Sequence, residues 1–489
     1  MATFGSILSI ARSAMVAHQT AIQVTSQNIS NAETPGYSRQ RAMLAPGYPQ
    51  RTPEGMLGTG VFVQDIEQIR NTLLDVSFRR DSSQASGFGL RRDLLERVEG
   101  VFGEPSENGL SATLDAFWAS WGDLANAPTS NTARGVVRER GTQVATMLNR
   151  FAQQLHDQQQ GTHAQLTDSL AELNGLARQV AELNVQITAA EAGGQTASDL
   201  RDARNIAVDS MSRLANVRVL EQRGGGIAVL VANQTLVDGS AVKQIATSGV
   251  PPAGTLHFAG DADALPDVGG ELGAMMQFLN KDLPDATAKL DQLARAVAEQ
   301  VNQLHRSGWS PAGDGDGAAN WDPAAPPTGS NIDFFAVPVD SVTGLPDPSR
   351  ITAASIGLSA QVRSNEQYVA AGNVQSATGN NAIAIAMAAL RTNTGSVTPD
   401  PAAPGTTQSF ADFYRDLVVG VALESKSAET SASVHRVIAQ QSDARRQSVS
   451  GVSTDEELIA LMRHQQAYVA ATRLVNVADE MAQSLLNMV

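Results

Sequence analysis

The C-terminal stretch, residues 451–489, constrains the fold more than any other, because after Gly451 it contains neither Pro nor Gly. Apolar residues recur there at helical spacing, and a second apolar row lies beside the first. The pattern predicts one helix of roughly 35 residues, about 50 Å long at 1.5 Å per residue. A helix of that length with an apolar stripe to its last turn cannot bury its own face, so it needs a partner.

The opposite end of the chain supplies a candidate partner. Residues 4–29 again lack Pro and contain Gly only at Gly5, and their apolar stripe is rich in alanine. Small residues permit close helix approach. We therefore predict that both termini are long helices of one coiled-coil layer, with the rest of the chain inserted between them. The alternative is a pair of ordinary core helices in one globular domain. The predicted assembly interface comprises Ile7, Ile10, Ile22, Val24, Ile29, Leu458, Leu461, Tyr468, Val475, Met481 and Leu485.

Two local motifs flank these helices. Asn28, Asn31, Pro35, Gly36 and Tyr37 combine turn-forming residues with a Pro-Gly pair, which predicts a tight turn after the first helix. The Pro/Gly-punctuated segment that follows, residues 46–63, is interpreted as a surface loop ending in a short strand at 61–63.

The start of the last helix carries the second motif. Thr454 followed by Glu457 predicts a capping box, in which a side chain accepts a hydrogen bond from an otherwise unpaired backbone N–H.

Composition excludes several classes of function. The net charge is −15 and no basic tract is present, so nucleic acid is not an expected partner. Cysteine is absent, which rules out disulfides and thiolate metal sites. No run of eighteen apolar residues occurs, so neither a membrane span nor a membrane partner is expected. The N-terminus lacks the features of a cleaved signal peptide.

The remaining chain is interpreted as mainly α with a small β part. Long helical patterns dominate, whereas β-branched residues alternate with turn signals after residue 217, which predicts a small β-meander. We predict an inner domain of terminal helices (1–45 and 446–489) and an elongated helical-bundle domain (46–216, 271–307 and 350–445). The β-meander (217–270) is inserted into the helical domain, and residues 308–349 form a loop-rich segment.

No catalytic constellation is found. The seven histidines are scattered, and the best-spaced pair, His156 and His163, fits a solvated helix face. Asp314 and Asp316 form only a fragment of a calcium loop. We therefore expect no enzyme activity, no cofactor and no bound metal.

Several segments together carry a resemblance to a known family. The turn 28-NISN-31 followed by 34-TPGYSRQ-40 resembles the junction after the N-terminal helix of bacterial flagellar axial proteins. Further segments are similar to the hook-associated members at the hook–filament junction. They are 455-DEE-457 and 465-QQAY-468 near the C-terminus, and the internal segments 199-DLRDAR-204, 333-DFF-335 and 290–308, the last containing Asn302 and His305.

The resemblance implies a non-enzymatic adaptor that joins the hook to the filament. It implies four partners: the hook protein, the second hook–filament junction protein, identical subunits in a ring-like layer, and a cytoplasmic export chaperone at the C-terminal region. It also implies an extracellular location reached through the flagellar type III apparatus, and terminal helices that are disordered in the free monomer. The chain departs from larger members of the family after Phe335, where the segment is too short for their separate outer β domain, so we expect a reduced or absent outer domain at residues 308–349. The alternatives are another axial subunit (flagellin or the second junction protein) and a secreted enzyme with helical export ends.

Overall fold

The structure, a computed structural model, describes residues 2–52, 55–249, 254–312, 329–375, 377–398 and 407–486, with the side chains of 2–4, 52 and 485–486 left aside. Its α-helices are α1 (Ala2–Ser30), α2 (Thr72–Phe102), α3 (Leu110–Asn126), α4 (Asn131–Glu191), α5 (Ser198–Leu214), α6 (Gly270–Gln277), α7 (Leu283–Arg306), α8 (Ala360–Ser364), α9 (Ala382–Ala389), α10 (Phe410–Ser450) and α11 (Thr454–Leu486). Its strands are β1 (Gln40–Pro46), β2 (Gln50–Thr52), β3 (Gly55–Leu57), β4 (Val61–Gln68), β5 (Val217–Glu221), β6 (Ile227–Val231), β7 (Gln234–Asp238), β8 (Ala241–Val242), β9 (Ile245–Ser248) and β10 (Thr255–Phe258). The predicted mainly-α fold of long helices with a small β part is confirmed.

The longest helices follow from local signals. The 61-residue α4 begins where the Ser130 side chain accepts a hydrogen bond from the backbone N–H of Ala133, and its first break in sequence is the Gly193-Gly194 pair. α2 runs through Gly87 and Gly89 without interruption. A Cβ at Gly87 would lie 2.7 Å from the backbone oxygen of Gly270, so this glycine permits α6 to pack closely against α2.

A single apolar core joins α2–α7, α9 and the start of α10. Its aromatic centre lies on α3, where Phe117 and Trp121 are fully buried against Phe334. The described part of the loop-rich segment therefore contributes core residues to the helical body. Asp314 and Asp316 lie outside the described residues.

The predicted β-meander is a four-stranded antiparallel sheet in the order β5-β6-β7-β8, followed by a β9–β10 hairpin. Asn184, a buried polar residue on α4, holds this sheet to the helix. Its Nδ2 donates to the carbonyls of Ile227 and Gly239 at 2.9 Å, and its Oδ1 accepts from the N–H of Ile227 at 3.1 Å.

The predicted strand at 61–63 is confirmed as the start of β4, but the interpretation of the residues before it as a surface loop is wrong. β1 pairs antiparallel with β4 from Gln40↔Gln68 to Pro46↔Val61, and β2 pairs with β3 at the tip. The pairing is non-local, which is why local Pro and Gly signals masked it. The β1–β4 ladder also crosses the boundary predicted between residues 45 and 46 and packs against α1.

Candidate assembly interface

The two terminal helices form a pair, and small side chains line it. α1 packs along α11, and α1 also contacts β1 and β4. Ala11, Ala17 and Ala21 on α1 are buried, as are Ala471 and Ala478 on α11. The mutual partnership predicted from their periodicity is therefore present within one chain.

α11 carries a second apolar row on the side away from α1. At 100° per residue, these side chains spread over about 160° of the helix. Five of them lie on the half opposite buried Ala471 and Ala478, whereas Leu474 and Met481 lie nearer to the pair. The outer face, as we call this row, comprises Leu458, Ile459, Met462, Val469, Leu474, Val477 and Met481, which are between 45 and 63% exposed. A helix that buries one apolar face and exposes another is typical of a subunit that packs against further copies or partners.

The predicted interface residues divide between these two surfaces. Val24 is buried and Leu458 and Met481 are exposed on the outer face, whereas the side chain of Leu485 is not among those described. The remaining predicted residues are half-buried at the edges of the pair: Ile7, Ile10, Ile22, Ile29, Leu461, Tyr468 and Val475.

The turn after α1 is a tight β-turn. Tyr37 N–H donates to the Thr34 carbonyl at 3.2 Å, with Pro35 and Gly36 at the exposed central positions. Gly36 has φ +80°, which a type II turn requires at this position. A Cβ there would also lie 2.5 Å from Ile206 Cγ1, so both conformation and space favour glycine.

Asn28 is the centre of a polar clasp formed by Asn28, Tyr37, Arg39, Gln40 and Glu457. Asn28 is 1% exposed. Its Nδ2 donates to the Gln40 carbonyl at 2.8 Å and to Glu457 Oε2 at 2.9 Å. Its Oδ1 accepts from the Gln40 N–H at 3.0 Å and from the Tyr37 hydroxyl at 2.8 Å. One side chain thus joins α1, the turn and α11. Asn31 instead ends α1, where its Nδ2 donates to the Gln27 carbonyl.

Glu457 links the clasp to the start of α11. Arg39 Nε donates to Glu457 Oε1 at 2.7 Å, and Arg39 Nη1 donates to Glu456 Oε2 at 2.8 Å. The predicted Thr454–Glu457 capping box is therefore wrong. The helix begins one residue earlier than that motif requires, so the Ser453 hydroxyl accepts from the Glu456 N–H while Glu457 turns to Arg39 and Asn28.

The clasp is attached to the helical body through α5. The Ser38 N–H and hydroxyl donate to Asp202 at 3.1 and 2.6 Å, and Gln40 Nε2 donates to Asp199 at 3.1 Å. Burial raises the pKa of Asp202, and hydrogen bonds from Ser38 oppose that rise. Burial, together with Asp199, Asp202 and Glu457, raises the pKa of Tyr37 to about 12, so this hydroxyl stays a donor to Asn28.

The other segments that carried the family resemblance are structural. Asn302 Oδ1 accepts from the N–H groups of Phe334 and Phe335 at 2.9 and 2.8 Å. His305 is fully buried, with Nδ1 2.7 Å from the Ile332 carbonyl and Nε2 accepting from the Ala370 N–H. Burial lowers the pKa of His305 to about 4, so the ring is neutral and serves to fix the loop that follows α7.

The described residues contain no cluster of three or more His, Cys, Asp or Glu side chains that could hold a metal ion. His156 contacts Gln160, one turn along its own helix. Within the described part of the chain, no helix is both long enough and apolar enough to cross a bilayer.

Comparison with known proteins agrees with this geometry. Residues 95–319 match the family model described as the flagellar hook-associated protein FlgK helical domain. Residues 8–37 match the flagella basal body rod protein model, and residues 445–488 match the flagellar basal body rod FlgEFG protein C-terminal model. These last two matches cover most of α1 and α11.

Relatives that align over the full length of the chain show which flagellar protein it resembles. Flagellar hook-associated protein 1 of Bacillus subtilis is 27% identical over 518 residues, covering 98% of this chain and 97% of the relative. The Salmonella typhimurium protein of the same name is 26% identical and is covered over 99% of both chains. The chain is therefore similar over its full length to flagellar hook-associated protein 1. A structure of the flagellar hook junction protein FlgK from Burkholderia pseudomallei shares the fold of this chain, with a TM-score of 0.63 at 18% identity over 77% of this chain and all of that one.

Proposed function

We propose that this chain is a structural component of the bacterial flagellum that joins the hook to the filament. The observation that carries the proposal is the outer face of α11, an apolar row left uncovered on a helix whose opposite face is already packed. Full-length similarity to flagellar hook-associated protein 1 of two bacteria supports the location of that packing.

The mechanism is subunit packing through the terminal helices. The α1–α11 pair presents the outer face to neighbouring copies in a ring-like layer, to the hook protein and to the second hook–filament junction protein. A large apolar side chain contributes roughly 1.5–3 kcal/mol when fully buried. The side chains of the outer face are partly exposed in the single chain, so they make this contribution only when a neighbouring subunit covers them. The clasp fixes the direction in which the pair leaves the helical body, because its hydrogen bonds reach both α11 and α5.

Further parts of the proposal concern the chain before assembly. We propose export through the flagellar type III apparatus to the cell exterior, with the α1–α11 pair held only weakly, so that it opens and closes until the chain assembles. A cytoplasmic export chaperone covers the C-terminal region during this stage. The exposed outer face supports this, since such a surface invites aggregation if left bare. The protein is proposed to have no enzymatic role.

The test is electron microscopy of purified hooks incubated with the full-length protein. We expect a single terminal layer that then permits filament growth. Long filaments of this protein alone would instead indicate a flagellin-like subunit. Failure to bind hooks or any other axial component would refute the proposal and would favour the alternative of a secreted enzyme.

Substitutions connect the result to the outer face. Val469→Asp places a charge on the outer face, 48% exposed, so the free chain should fold while incorporation is lost. Gln179→Asp adds the same charge at an exposed position of α4, away from the terminal helices, and should incorporate normally. Leu461→Asp, at the edge of the α1–α11 pair, and Leu485→Asp should also block incorporation while leaving the helical body folded. Equal incorporation of all these variants would contradict packing through α11.

A further inference from the structure

Two histidines that are 446 residues apart in sequence meet between the terminal helices. His18 lies on α1 and His464 on α11, and their Nδ1 atoms are 3.3 Å apart. The rings are tilted by 39°, with centroids 5.6 Å apart. Both side chains are half-buried. Neither residue takes part in the clasp or the outer face.

We propose that His18 and His464 form a binding site for a divalent transition-metal ion, zinc in the first instance, which bridges α1 and α11. The separation of the nitrogens supports this. With Zn–N bonds of about 2.0–2.1 Å and tetrahedral angles, two nitrogen ligands of one zinc ion lie about 3.3–3.4 Å apart. The ion would sit beside the Nδ1···Nδ1 line without a large movement of either ring.

The protonation chemistry of the pair allows it to bind a cation. A neutral imidazole carries its proton on one ring nitrogen and an acceptor lone pair on the other. Without a metal, one ring can donate its Nδ1–H to the other; when both rings are protonated on Nε2, two lone pairs face each other across 3.3 Å. A metal ion bound to both nitrogens removes that repulsion, and imidazole is a ligand suited to zinc, copper and nickel.

The surroundings fit a site of two protein ligands. No third His, Cys, Asp or Glu joins the two histidines among the described residues, and their partial exposure lets water occupy the other coordination positions. Of the neighbouring charged groups, Arg463 opposes and Glu457 favours a cation near His464. Burial lowers the pKa of both histidines, which keeps the rings unprotonated and able to bind metal at neutral pH.

A bridging ion would hold the terminal helices together in the free chain. Since the metal binds the paired state and not the separated one, it reduces separation by the factor 1 + [L]/Kd. At free zinc ten times the dissociation constant, amide exchange in α1 and α11 should slow about tenfold. This inference depends on the contact of α1 with α11 and not on the proposed role at the hook.

The test is calorimetric titration of the full-length, metal-free protein with ZnCl2 at pH 7.5, with amide exchange measured on the same samples. We expect one saturable site per chain and slower exchange confined to α1 and α11. His18→Gln and His464→Gln should each abolish the site. His156→Gln, which removes an exposed histidine of α4, should leave it intact.

Two further measurements keep the test decisive. His464→Cys restores a zinc ligand at the same position and should recover binding that His464→Gln loses. MgCl2, whose ion prefers oxygen ligands, should have no effect. Absence of saturable zinc binding to the unmodified chain, or binding that persists in both glutamine variants, would overturn the proposal.

Discussion

The clasp makes a quantitative prediction at Asn28. Replacing Asn28 by Ala removes the acceptor of the Gln40 N–H, the donor to the Gln40 carbonyl and the donor to Glu457 Oε2, all at a site where Asn28 is 1% exposed. Each buried polar group that loses its partner costs about 1–3 kcal/mol. Glu457 keeps Arg39, and Tyr37 is open enough to bind water. We therefore take the lower part of that range and expect a loss of about 3–4 kcal/mol.

Amide hydrogen exchange measures this loss where it occurs. Because about 1.4 kcal/mol corresponds to a factor of ten, exchange in α1 and α11 should accelerate by more than 100-fold, or until the pair is fully open. Amides of α4, which lies in the separate apolar core, should keep their rates. Purified hooks incubated with this variant should incorporate it poorly.

Asn31 is the matched control for Asn28. It belongs to the same motif, but its side chain contacts only local groups, the Gln27 carbonyl and the Thr34 hydroxyl, in partly exposed surroundings. Asn31→Ala should therefore cost less than about 1 kcal/mol. Equal effects of the two substitutions, or a change of tenfold or less in Asn28→Ala, would refute the claim that Asn28 holds the terminal pair to the turn.

Three other predictions concern the ion pair, the helix packing and the histidines. Glu457→Gln weakens the hydrogen bond from Arg39 to a carboxylate that is 3% exposed, and should lower the free energy of opening α11 by about 1–2 kcal/mol. Glu456→Gln is the control: this carboxylate is largely exposed, so the loss should be less than about 0.5 kcal/mol. Gly141→Ala places a Cβ 2.6 Å from the Phe334 ring and should lower the free energy of unfolding in urea by about 1–3 kcal/mol, whereas Gly161→Ala, on the same helix with open space around it, should raise that free energy by about 0.5–1 kcal/mol. Since burial lowers the pKa of His18 and His464 below 6.5, the separated helices bind protons more readily than the pair, so in metal-free buffer the pair should be strongest above about pH 6.5 and weaken as the pH falls below it. Exchange rates in α11 at pH 5.5 and 7.5, corrected for intrinsic rates, measure this effect, and a double His18→Gln, His464→Gln variant with unchanged pH dependence would contradict it.

The parts of the fold that sequence predicts well are those with local, repeated signals. Helical periodicity identified α1, α4 and α11, because each turn of a long helix repeats the same apolar spacing. The β-meander was predicted for the same reason, with alternating residues between recognisable turns. The pairing of β1 with β4 was not predicted, because it joins residues such as Gln40 and Gln68 that carry no local mark of each other.

The clasp shows why site residues are harder to predict than helices. Asn28, Tyr37 and Gly36 were identified as a turn motif, yet the partners that explain them lie far away, Glu457 at 429 residues from Asn28 and Ile206 beneath Gly36. Ser453 and Thr454 are both good capping residues, and sequence alone offered no means of choosing between them. The meeting of His18 with His464 required the helix register, which local periodicity does not supply.

α11 buries small side chains against α1 and exposes larger ones on its outer face, which indicates that the α1–α11 pair is only weakly stable on its own. Burying an alanine methyl contributes about 0.8 kcal/mol, which is less than the 1–2 kcal/mol lost on ordering one residue of backbone. The buried positions Ala11, Ala17, Ala21, Ala471 and Ala478 therefore leave α1 and α11 poorly held by each other alone. The larger side chains, among them Ile459 and Met462, lie on the outer face, where only a neighbour can bury them. Met462→Ser should therefore weaken incorporation into hooks while leaving amide exchange in α1 and α11 of the free chain unchanged.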